Sequence, residues 1–148
     1  MSEPVTEQGT WLHVKAAGMD LLLSTQDLRE VVAHSPVAPL PGRPRGIDGV
    51  VIYQGEFLPV LAWKDLPGCE GSKAGPAAAM AVLRPRLGIP LDRLIGTMKV
   101  PLNTLKEADE NDPAISWIAG VCEVEGQSFR VLDGDRLVAL LRRFRGDR

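Results

Sequence analysis

Apolar and polar positions along this chain mostly follow the two-residue period of β-structure, with a switch to helical spacing at the end. TWLHVKA from Thr10 and LLLST from Leu21 read as two strands around a turn at Gly18-Met19-Asp20. In QDLREVV, Leu28, Val31 and Val32 fit a single helical turn, whereas the β-branched ending fits a strand, and both readings stand. SPVAPLPGRPRG holds four prolines and predicts an extended surface connection. GVVIYQGEFLPVL, residues 49–61, predicts a β-hairpin that ends near Trp63. DLPGCEGSKAGP, rich in Gly and Pro, predicts a mobile loop. AAAMAVLR and IPLDRLIG predict two strands about a PRLG turn, and ADENDPA, residues 108–114, a solvated loop. Finally Leu137, Leu140, Leu141 and Phe144 form one apolar stripe behind a capping Asp133, which predicts a short terminal helix.

The first hairpin pattern returns 71 positions later as GVCEVEGQSFRVL, residues 120–132. Gly49/Gly120, Val50/Val121, Gly55/Gly126, Val60/Val131 and Leu61/Leu132 are identical pairs, as are Ile47/Ile118 and Leu66/Leu137. Gly55 and Gly126 fall where the turn needs positive φ. Two copies this far apart do not make a solenoid, so the pattern predicts two similar halves of one domain. Equivalent hairpins need equivalent inner faces, which places Val50, Val60, Leu61, Val121, Val131 and Leu132 in the core.

A chain of 148 residues, 45% of them apolar, suffices for one domain or two small lobes with a shared core. The net charge of −2 gives the surface as a whole no attraction for phosphate backbones. Residues 1–10 lack a basic, apolar signal pattern, and the longest apolar run, AAAMAVL from Ala77, is too short to span a bilayer. The chain is therefore expected in the cytoplasm, where Cys69 and Cys122, which lack metal-ligand spacing, stay reduced.

Catalytic chemistry is hard to assemble from these residues. His13 and His34 are the only histidines, and a histidine on a strand is ordinarily structural. Neither Ser24 nor Ser35 sits in a nucleophile elbow, and neither cysteine has a Cys-His setting. The carboxylates of ADENDPA lack the glycine and oxygen spacing of a calcium loop. Gly42-Arg43-Pro44-Arg45-Gly46 lacks the Lys-Ser/Thr of a phosphate loop and reads as a turn with solvated arginines. Arg142, Arg143, Arg145 and Arg148 read as ordinary complements to a helix C-terminus. No catalytic, cofactor or metal-binding residue is assigned.

LREVV at 28–32, LPGRPRGIDGVVIYQGEFLPVLAWKDLPG from Leu40, RLGIPLDRLIGTMKVP from Arg86 and IAGVCEVEGQSFRVLDGDRLVALL from Ile118 occur in an order that resembles the CheW-like adaptors of bacterial chemosensory systems. The resemblance covers about nine-tenths of the chain. It implies an all-β fold of two five-stranded β-barrel lobes sharing an apolar core, with a short C-terminal helix. Residues 1–9 then form a flexible N-terminus, 10–145 a single domain of two intertwined lobes, and 146–148 a tail. It further implies a non-enzymatic adaptor without cofactors. Its partners would be the cytoplasmic tip of a methyl-accepting chemoreceptor and a CheA-type histidine kinase, with no nucleic acid and no direct membrane insertion. By motif position, Leu28, Glu30, Gly49, Gln54 and Phe57 match residues that line the first-lobe partner surface in that family.

One position departs from the resembled pattern. An Asn-Leu-Arg-Gly type segment is usual before the hairpin turn in flagellar chemotaxis members, and here it reads Ile52-Tyr53-Gln54-Gly55. Glutamine has neither the permanent charge nor the donor fork of a guanidinium. A second reading is therefore an adaptor of a divergent pathway, such as type IV pilus twitching motility. A third, from another class, is a small β-barrel module for a ligand or nucleic acid. It needs stacking aromatics on an exposed face, whereas the chain has seven aromatics, with Trp63 and Trp117 at apolar strand ends.

Overall fold

Backbone hydrogen bonding in the computed structural model, which describes residues 8–71, 77–101 and 104–146, makes both predicted hairpins real. The first joins β4 (Ile47–Tyr53) to β5 (Glu56–Leu61), and the second joins β10 (Ile118–Val124) to β11 (Gln127–Leu132). Their registers correspond residue for residue: Val51 faces Leu58 as Cys122 faces Phe129, and both ladders shift at the residue before the repeated glycine. Gln54 and Gly55 have φ of 50° and 78°, Glu125 and Gly126 50° and 80°. Positive φ at both central residues is the type I′ turn, whose twist suits antiparallel strands.

Gly49 and Gly120 explain why the repeat keeps a glycine at its start. A Cβ at Gly49 would lie 2.2 Å from the carbonyl oxygen of Ala38, and one at Gly120 2.3 Å from that of Lys106. Each glycine admits a crossing segment: Ala38 and Val50 exchange two backbone hydrogen bonds of 2.9 Å, and β9 (Leu105–Lys106) pairs with β10 at Val121 and Cys122. Thus the duplication includes the strand that crosses each hairpin, a part no sequence identity reveals.

The remaining strands are β1 (Gln8–Ala16), β2 (Met19–Ser24), β3 (Leu28–Ala33), β6 (Ala79–Leu83), β7 (Leu87–Leu91) and β8 (Arg93–Pro101). Of QDLREVV, Gln26 and Asp27 lie in a turn and LREVV is strand, since β3 pairs with β6. IPLDRLIG is two strands, β7 and β8, broken at Asp92. The turn before β2 is Ala17-Gly18, with Met19 and Asp20 already in the strand. Gln8 and Gly9, assigned above to the N-terminus, begin β1.

One sheet has six strands in the order β8-β1-β2-β11-β10-β9, the other five in the order β3-β6-β7-β5-β4. Two five-stranded lobes were expected, and the two-residue β9 makes the sixth strand. Each sequence half lends a pair of strands to the other: β1 and β2 join β8 to β11 of the second half, and β6 and β7 join β3 to β5 of the first. Neither sheet closes on itself by a backbone ladder among the described residues, so each curls as an open barrel.

The sheets have apolar residues on both faces. Leu12, Val14, Leu21 and Leu132 meet Leu61, Leu83, Ile89 and Leu91 in a common core. Each lobe has its own smaller cluster, Val51, Leu58, Val60 and Met80 in one, Trp11, Cys122, Phe129 and Val131 in the other. Hence consecutive residues serve different cores: Val60 and Val131 fill the lobes, Leu61 and Leu132 the common core. Val50 and Val121 are half-buried rather than core, because the pleat turns Gly49 and Val51, and Gly120 and Cys122, inward in their place.

Trp63, in a 3-10 turn at Trp63–Asp65, and Trp117 meet edge to face at 5.7 Å between centroids. Their indole N–H groups donate to the Pro90 and Pro67 carbonyls at 2.8 and 2.9 Å, which satisfies both inside the core. The loop after Trp63 is not solvated throughout, since Leu66 and Cys69 are buried, and its residues 72–76 lie outside the described residues. The terminal helix α1 (Gly134–Gly146) forms as expected. Asp133 caps it by accepting from the Arg136 N–H at 3.0 Å, and Leu137, Leu140 and Leu141 are buried.

Candidate functional site: the rim of the first hairpin

β3 and β4 are opposite edges of the five-stranded sheet, yet their side chains meet. Arg29 Nη2 donates to Gln54 Oε1 at 3.0 Å, the Tyr53 hydroxyl donates to Glu30 Oε1, and the Arg29 guanidinium lies 5.7 Å from the Tyr53 ring centroid. The sheet has curled until its two edges are joined by side chains in place of backbone. Beside this seam Arg86, in the β6–β7 turn, pairs with Glu56 at 2.8 Å. The Glu30 carboxylate favours the protonated phenol and raises the Tyr53 pKa above its ordinary value.

The outer face of the hairpin tip is apolar. Ile52 and Phe57 are cross-strand partners, 64% and 69% exposed. Such a pair burdens an isolated molecule, and a rim of Arg29, Glu30, Gln54 and Glu56 around it has the composition of a contact surface.

Of the five residues matched by motif, Glu30, Gln54 and Phe57 come together on this rim and are exposed. Leu28 is half-buried and packs against the common core, while Gly49 is buried under Ala38. Sequence reasoning missed Ile52, Arg29 and Tyr53. With Gly49 and Val51 facing inward, the pleat sends Ile52 outward, and taking Val50 as inward concealed it.

Several other polar groups have structural partners. His13 Nε2 and Asp20 Oδ1 are 2.9 Å apart, and Lys15 adds a 3.3 Å contact to the same carboxylate. The hydrogen bond from His13, before the contact with Lys15, holds the Asp20 carboxyl below its usual range. Arg130 and Asp112 pair at 2.9 Å, tying the ADENDPA loop to β11. Cys69 and Cys122 are free and buried, and desolvation pushes the Cys69 thiol up to about 11. Among the described residues no His, Cys, Asp and Glu side chains gather to hold a metal ion, and no helix is long and apolar enough to cross a membrane.

Two curled sheets around a common core, with an exposed apolar pair framed by polar side chains, define a β-scaffold without an assembled catalytic or metal cluster among the described residues. The CheW-like domain profile matches residues 10–142, and the chain belongs to the CheW-like domain family, whose members are non-enzymatic scaffold and adaptor proteins of chemotaxis signalling. No curated protein sequence matches it. Among solved structures it is similar to the crystal structure of the scaffolding protein TtCheW from Thermoanaerobacter tengcongensis, with a TM-score of 0.76 and 14% identity. That match covers 90% of this chain and 89% of the other, and it shows a common fold.

Proposed function

We propose that this chain is a cytoplasmic adaptor that couples the cytoplasmic tip of a methyl-accepting chemoreceptor to a CheA-type histidine kinase, and that the first-hairpin rim takes part in the coupling. The observation that carries this reading is the exposed Ile52–Phe57 pair framed by Glu30 and Gln54, of which Phe57, Glu30 and Gln54 match the family's first-lobe partner surface by motif position. Leu28 and Gly49 serve that surface from beneath, Leu28 by seating β3 on the common core and Gly49 by admitting the segment that crosses β4.

The neutral Gln54 supports a partner of a divergent pathway, such as one controlling pilus-driven twitching, over a flagellar one. Gln54 accepts from Arg29, so the rim's guanidinium comes from β3 rather than from the turn. The burial of Trp63 and Trp117 leaves Phe57 as the one strongly exposed aromatic among the described residues, which is too little for the successive-base stacking that the nucleic-acid reading requires.

The test is capture of purified receptor tips and kinases from the source cell by the immobilised protein, its Phe57→Ser variant and its Glu30→Arg variant. Both exposed substitutions should leave folding intact and reduce capture of at least one partner about tenfold. Undiminished capture by both variants would move the partner surface elsewhere.

A further inference from the structure

The two arginine-bearing segments that read as unrelated solvated turns in the sequence come together on the other side of Arg86. The Gly42–Gly46 turn lies against α1 so closely that a Cβ at Gly46 would sit 2.4 Å from Leu141 Cδ2. Arg45 stacks on Phe144 of the helix, its guanidinium carbon 4.1 Å from the ring centroid. Between turn, helix, β4–β5 hairpin and β6–β7 turn lies an open cleft of about 160 Å³. Its floor is apolar, with Leu40, Ile47, Val138 and Leu141, and Pro44, Pro59 and Pro85 stiffen its walls. Arg45, Arg86, Arg142 and Arg145 line it as well, and no carboxylate does.

That charge distribution runs against the molecule, which carries 19 acidic and 17 basic residues. Arg86 is neutralised by Glu56, and Asp65 lies near the turn, where it accepts the Gly46 N–H at 2.8 Å. Arg45, Arg142 and Arg145 have no ion pair among the described residues. Stacking on Phe144 holds Arg45 in one orientation, which reduces the entropy lost when its fork of donors engages a carboxylate. A rigid apolar floor with unpaired, partly preordered guanidinium groups suits a ligand that offers apolar side chains and carboxylates together.

We propose that this cleft docks an acidic amphipathic segment of a partner protein, with apolar side chains on the floor and carboxylates on Arg45, Arg142 and Arg145. A flat anionic lipid surface matches the four arginines but not the concave apolar floor. A nucleic-acid backbone likewise has nothing to place there. The cleft shares only Arg86 with the residues around the hairpin rim, and Glu30, Gln54 and Phe57 lie outside it. This docking site is therefore separate from the rim, and its failure would leave the adaptor reading in place.

Fluorescence anisotropy with three short synthetic peptides tests it: one with leucines at helical spacing and glutamates between them, its glutamine analogue, and a glutamate-only peptide. The leucine-glutamate peptide should bind at least about tenfold tighter than either control, more weakly as salt rises. Arg142→Glu with Arg145→Glu should weaken it about tenfold or more, and the milder Arg142→Gln with Arg145→Gln should also weaken it should the reversal variant fail to fold. Glu30→Arg should bind it as the natural protein does. Equal binding of the glutamine analogue, undiminished binding by a folded Arg142/Arg145 variant, or binding to phosphatidylglycerol vesicles without binding to the peptide would each overturn the proposal.

Discussion

At Gln54 a single amide both closes the sheet seam and lies on the proposed partner rim. Its bond to Arg29 is exposed, so water can replace it, and the residue's positive φ suits arginine no worse than glutamine. Gln54→Arg should therefore change stability by no more than about 0.5 kcal/mol in urea titration. It would set a second guanidinium beside Arg29 and give partner binding a charge-assisted component, with a steeper salt dependence than the natural protein shows. Titrations of receptor tips and kinases at low and high salt would show this, and identical salt slopes for both proteins would place Gln54 outside the recognition surface.

The two crossed hairpins are the unit from which each lobe is built, and glycine is what permits the crossing. Gly49→Ala would push a methyl into the Ala38 carbonyl and open the paired Ala38–Val50 bonds, and Gly120→Ala would do the same at Lys106. Each should cost about 2–3 kcal/mol by overpacking, measured as a fall in the urea midpoint. Unchanged midpoints would mean the crossing segments are not held there. Much of this level was legible in the sequence: the hairpins, their turns and the capped helix all rest on local patterns of apolar, Gly and Asp residues. The crossing segments were not, because Ala38 and Lys106 contribute backbone, which no residue type announces. Nor was the β7–β8 break at Asp92, where an apolar run passes from one sheet to the other. On the proposed rim, motif position named Glu30, Gln54 and Phe57, which the fold brings together and exposes. Their neighbours Arg29, Tyr53 and Ile52 needed the curl that brings β3 to β4.

For the whole molecule the exchange of β1–β2 and β6–β7 matters most, since neither sequence half can complete its sheet alone. Val60 and Val131 fill different lobes and are fully buried. Truncation of either to alanine should cost about 2 kcal/mol and shift one cooperative transition for the entire chain. A variant that unfolded in two steps, one lobe before the other, would contradict this coupling. On the proposed function, an adaptor with so unified a body should hold two partners in fixed relation and join proteins that associate poorly without it. Co-sedimentation of a CheA-type kinase with receptor-bearing membranes, with and without this protein, measures that joining directly. The kinase should pellet with the membranes only when the protein is present, and markedly less with the Glu30→Arg variant. Kinase recruitment that is the same with and without the protein would contradict the adaptor function.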